Sequence, residues 1–106
     1  MISESTIQES VRRIVEAFAP DRAIVVWFFA RGEQGFRSDL DLLVIVPRIA
    51  NRRAMTTVMS GLRSGLRLPC DLLVLTQSEF EGGSGVVGSA IRTAAAEGKD
   101  VYDRAA

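Results

Sequence analysis

The chain has 106 residues, 47% of them hydrophobic and 25% charged, with 13 basic side chains balancing 13 acidic ones, a single cysteine and no histidine. Such a length buries roughly 60–70% of the unfolded surface, enough for one modest core and one domain over residues 1–106. This composition excludes His-based triads, His-ligated zinc, thiolate clusters and internal disulfides, and the zero net charge supplies no overall field for nucleic acid and no colloidal repulsion against self-association or a partner.

Any metal held here must be a hard cation on oxygen ligands. The lone Cys70 fits a reducing, cytoplasmic setting. The N-terminus carries acid rather than a basic leader. The longest apolar run, residues 23–30, is too short to span a membrane.

Taken in chain order, Ile7, Val11, Ile14, Val15 and Phe18 recur at helical spacing and predict a first helix, which Pro20 stops. Ser5 with Gln8, or Thr6 with Glu9, supplies a capping box. Residues 24–29, Ile-Val-Val-Trp-Phe-Phe, read as a buried strand because the run is short, β-branched and aromatic. Residues 31–38 are polar and hold Gly32 and Gly35, so they read as a loop or a single helical turn. Residues 40–46 form a second buried strand, ended by Pro47.

Asn51 then caps a second helix, whose apolar stripe is Met55, Val58, Met59, Leu62 and Leu66. Residues 67–69 turn the chain, and residues 70–75 make a third strand. Residues 78–88, with four of the nine glycines, read as mobile. A last helix carries Val87, Ala90, Ile91, Ala94 and Ala95 on one side, with Gly98 as its C-cap. Residues 99–103 are a short extended tail. The pattern predicts an α/β (α+β) domain: a small mixed β-sheet with flanking helices, in which strand two, helix and strand three form a crossover unit.

The segment with chemistry in it is Ser38-Asp39-Leu40-Asp41-Leu42-Leu43-Val44-Ile45-Val46, where two acids start an otherwise apolar strand. Alternate strand residues share a face, so Asp39 and Asp41 point the same way, roughly 7 Å apart. Ionised carboxylates that close repel unless a cation lies between them, and Mg²⁺ takes such oxygens while keeping positions for water or phosphate. Alone, Asp-x-Asp reads first as a pair of solvated turn residues. A third acid, Asp71, starts the next apolar strand; taken singly it is equally a capping aspartate. If strands two and three are neighbours, three carboxylates meet at one sheet edge, as two Mg²⁺ ions would need for in-line nucleotidyl transfer. Asp71 could then also act as a general base.

Ala30-Arg31-Gly32-Glu33, followed by Ser38-Asp39-Leu40-Asp41-Leu42-Leu43-Val44, resembles the DNA polymerase beta-type nucleotidyltransferases. The likeness is closest to their minimal (MNT) members, which often serve as antitoxins beside HEPN toxins. It runs from the first helix to Glu97-Gly98-Lys99-Asp100-Val101-Tyr102. The resemblance implies a nucleotidyltransferase fold, with Asp39 and Asp41 as the metal-binding pair and Asp71 as the third carboxylate. It also implies Mg²⁺ as cofactor, ATP or another NTP as substrate, and a helical HEPN-type partner or a homo-oligomer. The family carries Gly-Ser ten residues before its Asp-x-Asp. Here those positions are Trp27 and Phe28, which removes the close backbone approach and the hydroxyl that bind the triphosphate. Three readings follow: Arg31 or Arg37, with Ser38 and a base stacked on Trp27, hold the nucleotide another way; the chain keeps only the fold and partner binding; or the turn has been altered deliberately. Trp27, Phe28 and Phe29 also read simply as core. The arginines at 12, 13, 48, 52, 53, 63 and 67 read as helix-surface residues rather than a nucleic-acid patch, Gly82-Gly83-Ser84-Gly85 lacks a Walker ending, and Cys70 reads as a buried structural thiol.

Overall fold

A computed structural model describes residues 4–29, 38–66, 70–82 and 98–105, and at 27–29, 38 and 39 the description is of the backbone alone. Among these residues four strands and three helices follow in the order α1 (Glu4–Phe18), β1 (Arg22–Phe29), β2 (Ser38–Val46), α2 (Arg52–Gly61), β3 (Cys70–Thr76), α3 (Gln77–Gly82) and β4 (Lys99–Asp103). The sheet runs β3-β2-β1-β4. β1 is antiparallel to both of its neighbours, and β2 is parallel to β3. A parallel pair needs a crossover, and α2 supplies it. The mixed sheet with flanking helices is the predicted architecture.

The helices form where their apolar positions recur. Ile7, Val11 and Ile14 of α1 are buried against Ala23, Val25, Leu40, Leu42, Val44, Val46 and Val74 of the sheet, together with Met59 of α2. Ile24, Val26, Leu43, Ile45 and Leu75 form a second buried cluster, with Leu73 and Phe80 of α3 packed on it. Along β2 and β3 the two clusters alternate residue by residue, so they occupy opposite faces of one sheet. Both faces of β2 are apolar beyond Asp41, as expected of a central strand covered on two sides.

Polar side chains lock the elements together. Asn51 caps α2, accepting a 3.0 Å hydrogen bond from the Ala54 amide. Arg13 reaches from α1 to donate to the carbonyls of Leu62 and Ser64, both at 3.0 Å, just beyond the C-terminus of α2. There it also favourably meets the negative end of the helix dipole. At the end of β3, Thr76 and Glu79 form a reciprocal capping box: the Glu79 amide donates to Thr76 Oγ1 at 3.2 Å, and the Thr76 amide donates to Glu79 Oε1 at 2.9 Å.

Several expectations are corrected. Ser5 and Thr6 lie inside α1 rather than capping it, and Glu9 takes Arg12 and Arg13 instead of a backbone amide. The start of the segment read as mobile is α3, nucleated by the Thr76 box. Residues 99–103 are extended, as expected, but form an edge strand paired with β1 rather than a tail. Val58 is 56% exposed, off the buried stripe of α2. The last predicted helix, and with it the capping role of Gly98, lies outside the described residues. No helix among the described residues is long and apolar enough to cross a membrane.

Two predictions follow from local chemistry. Ala19, just past α1, has φ +47°, a left-handed conformation that costs a side-chain-bearing residue about 1–2 kcal/mol; Ala19→Gly is expected to raise unfolding stability by about 1 kcal/mol in a urea titration. The hydrogen bonds from Arg12 and then Arg13 pull the Glu9 carboxyl down from 4.5 to about 2. Because the folded value lies below the unfolded one, this contribution is complete above about pH 4.5 and is lost as the pH falls towards 2. The stability gap between the wild type and Glu9→Gln is expected to be flat from pH 5 to 7 and to close below pH 4.

Candidate metal and nucleotide site

The parallel register of β2 and β3 decides the site. It pairs Leu40 with Cys70, Asp41 with Asp71 and Leu42 with Leu72. Asp41 and Asp71 are therefore side by side on adjacent strands, about 4.8 Å apart in the pairing direction. Asp41 is two residues from Leu43, and Asp71 two from Leu73, so both carboxylates rise from the face opposite α1 and α2. Asp41 is half-buried and Asp71 is exposed. The apolar runs that follow both acids bury the strands and fix that register, because a one-residue slip would turn Leu43, Ile45 and Leu75 out of the core.

Asp39 lies in β2 opposite Phe28, and Ser38 lies opposite Phe29. The side chains of Asp39, Ser38, Trp27 and Phe28 are outside the description, and Arg31 is outside the described residues altogether. Among the described residues no three acidic or sulfur ligands converge; the third expected ligand is the Asp39 carboxylate. The described pair is all-oxygen and anionic, partly open to solvent and set at adjacent strand starts, a donor set that fits a hard divalent cation. Trp27 and Phe28 do not sit in a turn. β1 pairs regularly through Trp27 with Leu40 and Phe28 with Asp39, as a continuous strand.

Cys70 precedes Asp71 on the opposite face of β3, where it packs against the first cluster. Burial pushes its thiol upward, and the nearby Asp71 and Asp41 carboxylates push the same way against the opposing pull of Arg63. The protonated thiol is a structural group, as expected, and not a thiolate ligand. Arg63 donates to its sulfur at 2.8 Å and to its carbonyl at 3.1 Å. Reading Arg63 as a surface residue misses this contact, since only the fold brings the turn after α2 back to the start of β3. The Thr76-Gln77-Ser78-Glu79 capping box, by contrast, has a visible sequence signal.

Three further arginines are engaged. Arg12 bridges Glu9 and Glu16. Arg52 bonds the Val74 carbonyl at 3.2 Å and pairs with Glu79. Arg22 pairs with Asp100 at 2.9 Å and lies over the Phe80 ring. A hollow of about 480 Å³ beside α1 and β4 is lined by Glu4, Ile7, Gln8, Val25 and Lys99. It lies across the sheet from β3, and its charges already have partners, Glu4 with Lys99 and Asp100 with Arg22.

Among solved structures, the chain is similar to a protein from Sulfolobus solfataricus provisionally named a nucleotidyltransferase. The TM-score is 0.60 at 19% identity, over 95% of this chain and 80% of the other. No protein-family model matches the chain, and no curated protein matches it. The likeness establishes a nucleotidyltransferase-like fold, as the sequence resemblance implied.

Like charges side by side on neighbouring strands cost stability. Without metal, Asp71→Asn is therefore expected to stabilise the fold by about 0.2–1 kcal/mol, read as a higher urea midpoint in a chelating buffer. An unchanged or lower midpoint would mean that the two carboxylates do not oppose each other.

Proposed function

We propose that the chain is a metal-dependent nucleotidyltransferase that moves a nucleoside monophosphate, AMP from Mg-ATP, to a hydroxyl acceptor. The observation that carries this reading is the pairing of Asp41 with Asp71 on adjacent parallel strands of a nucleotidyltransferase-like sheet. Asp41 and Asp71, with Asp39, would hold Mg²⁺. When bound, the metal supplies charge neutralisation on the phosphate oxygens and orients an in-line displacement.

The chain's own contribution is placement and proton transfer. Asp71 is exposed at the start of the outer strand β3. There it can accept the proton of an acceptor hydroxyl as that oxygen bonds to the α-phosphorus and pyrophosphate leaves. Ser38 and Arg31 remain the candidates for nucleotide contacts, with Trp27 and Phe28 beside the base. By the resemblance to minimal nucleotidyltransferases, we read the chain as the MNT antitoxin half of a pair with a helical HEPN-type partner, in the cytoplasm.

One observation favours a second reading, that of a catalytically inactive module which binds a partner through the same fold. β1 continues in regular pairing to Phe29, so the backbone at 27 and 28 offers no turn of consecutive amides in which a triphosphate could rest.

Calorimetric titration with Mg-ATP separates the readings. The enzyme reading expects saturable binding, and metal-dependent label transfer from α-labelled ATP that Asp39→Ala abolishes. No binding at millimolar nucleotide overturns it. A gain in nucleotide affinity in the double variant Trp27→Gly, Phe28→Ser would show that the aromatic residues weaken a latent site.

A further inference from the structure

The start of β3 is held from outside the sheet. Backbone groups of alternate residues in a strand point to the same edge. On β3 the Cys70 and Val74 carbonyls and the Thr76 amide are all taken by side chains rather than by β2: Arg63, Arg52 and Glu79 respectively. These mark the outer edge. Asp71, between them in phase, turns its backbone inward to the ladder with β2. It is thus gripped on one side by the sheet and, one residue earlier, on the other side by Arg63.

Arg63 is suited to that grip. It stands in the turn after α2, where its amide donates to the Ser60 carbonyl at 3.1 Å. Its Nη1 donates to the Cys70 carbonyl at 3.1 Å and to Cys70 Sγ at 2.8 Å, while Nη2 reaches Ser60 Oγ at 3.5 Å. One planar cation therefore ties the end of the crossover helix to the first residue of β3. Its Nε is buried with no hydrogen-bond partner among the described residues, a desolvation cost that the Nη contacts must outweigh. The guanidinium bonds Cys70, whose side chain packs on the face opposite Asp71, so it braces the strand without occupying the carboxylate side.

We infer that Arg63 is a positioning residue for the carboxylate pair: by holding the carbonyl oxygen and sulfur of Cys70 it sets the start of β3, and with it the place of the Asp71 carboxylate beside Asp41. This rests on the metal-binding reading above. Removing Arg63 frees the first residue of an edge strand and widens the range of Asp41–Asp71 separations. A cation that demands near-ideal octahedral geometry is sensitive to such widening.

The test uses the intact chain with MnCl₂ as probe, measuring both the Mn²⁺ dissociation constant by calorimetry and the metal-induced rise in Tm. The second readout is a difference between loaded and metal-free protein, so a stability loss common to both states leaves it unmoved. Arg63→Met is expected to weaken Mn²⁺ binding about tenfold, the lower end of the effect of removing supporting groups around metal ligands, and to shrink the rise in Tm. Arg63→Lys, which keeps a cationic donor but not the planar fork, is expected to fall between Met and wild type. Wild-type affinity in Arg63→Met overturns the positioning role; if that variant does not fold, wild-type affinity in Arg63→Lys overturns it. Asp41→Asn separates this from the underlying reading. If the wild type binds Mn²⁺ no better than Asp41→Asn, the metal site itself is refuted, and Arg63 has nothing to position.

Discussion

The parallel pairing of β2 with β3 is the constraint on which the rest of the molecule depends. It is held by apolar residues buried on both faces: Leu42, Val44 and Val74 on the side of α1 and α2, and Leu43, Ile45 and Leu75 on the other. Side chains alternate with period two, so these residues admit one register. That register places Asp41 beside Asp71. The hydrophobic ladder beyond the two carboxylates fixes the register that keeps them adjacent.

Around this pair the protein spends its polar side chains on bracing. Arg13 joins α1 to the end of α2, Arg52 joins the start of α2 to the end of β3, and Arg63 joins the turn after α2 to the start of β3. The crossover helix is thus pinned at both ends to the strand it delivers. Two of these contacts, from Arg52 and Arg63, occupy the Val74 and Cys70 carbonyls on the outer edge of β3, and side chains so placed blunt that edge against pairing with another chain. Arginines that look like surface residues, Arg13, Arg52 and Arg63, serve here as fasteners between elements.

The N-terminal end of β2 sets the question of activity. The carboxylates of a metal-dependent nucleotidyltransferase need a nearby phosphate cradle. The continuous β1 strand through Trp27 and Phe28 withholds the usual one, a glycine-containing turn. The acids and the continuous strand at 27 and 28 point in different directions.

The first three strands and first two helices were legible because their signals are local: apolar periodicity, Pro20 and Pro47 as stops, and Asn51 as a cap. The aspartates were legible because acids at the start of apolar strands stand out. The sequence also carried the capping box at Thr76 to Glu79, masked by the neighbouring glycines. What it could not show is non-local. That residues 99–103 pair with β1, that Asp41 sits in register with Asp71, and that Arg63 returns to Cys70 all follow from chain segments meeting across the fold. By itself the sequence determined the first three strands, the first two helices and the chemical character of the candidate ligands. The tertiary structure alone decided which of them stand together, because sheet order and register are set by burial summed over the whole core and not by any one segment.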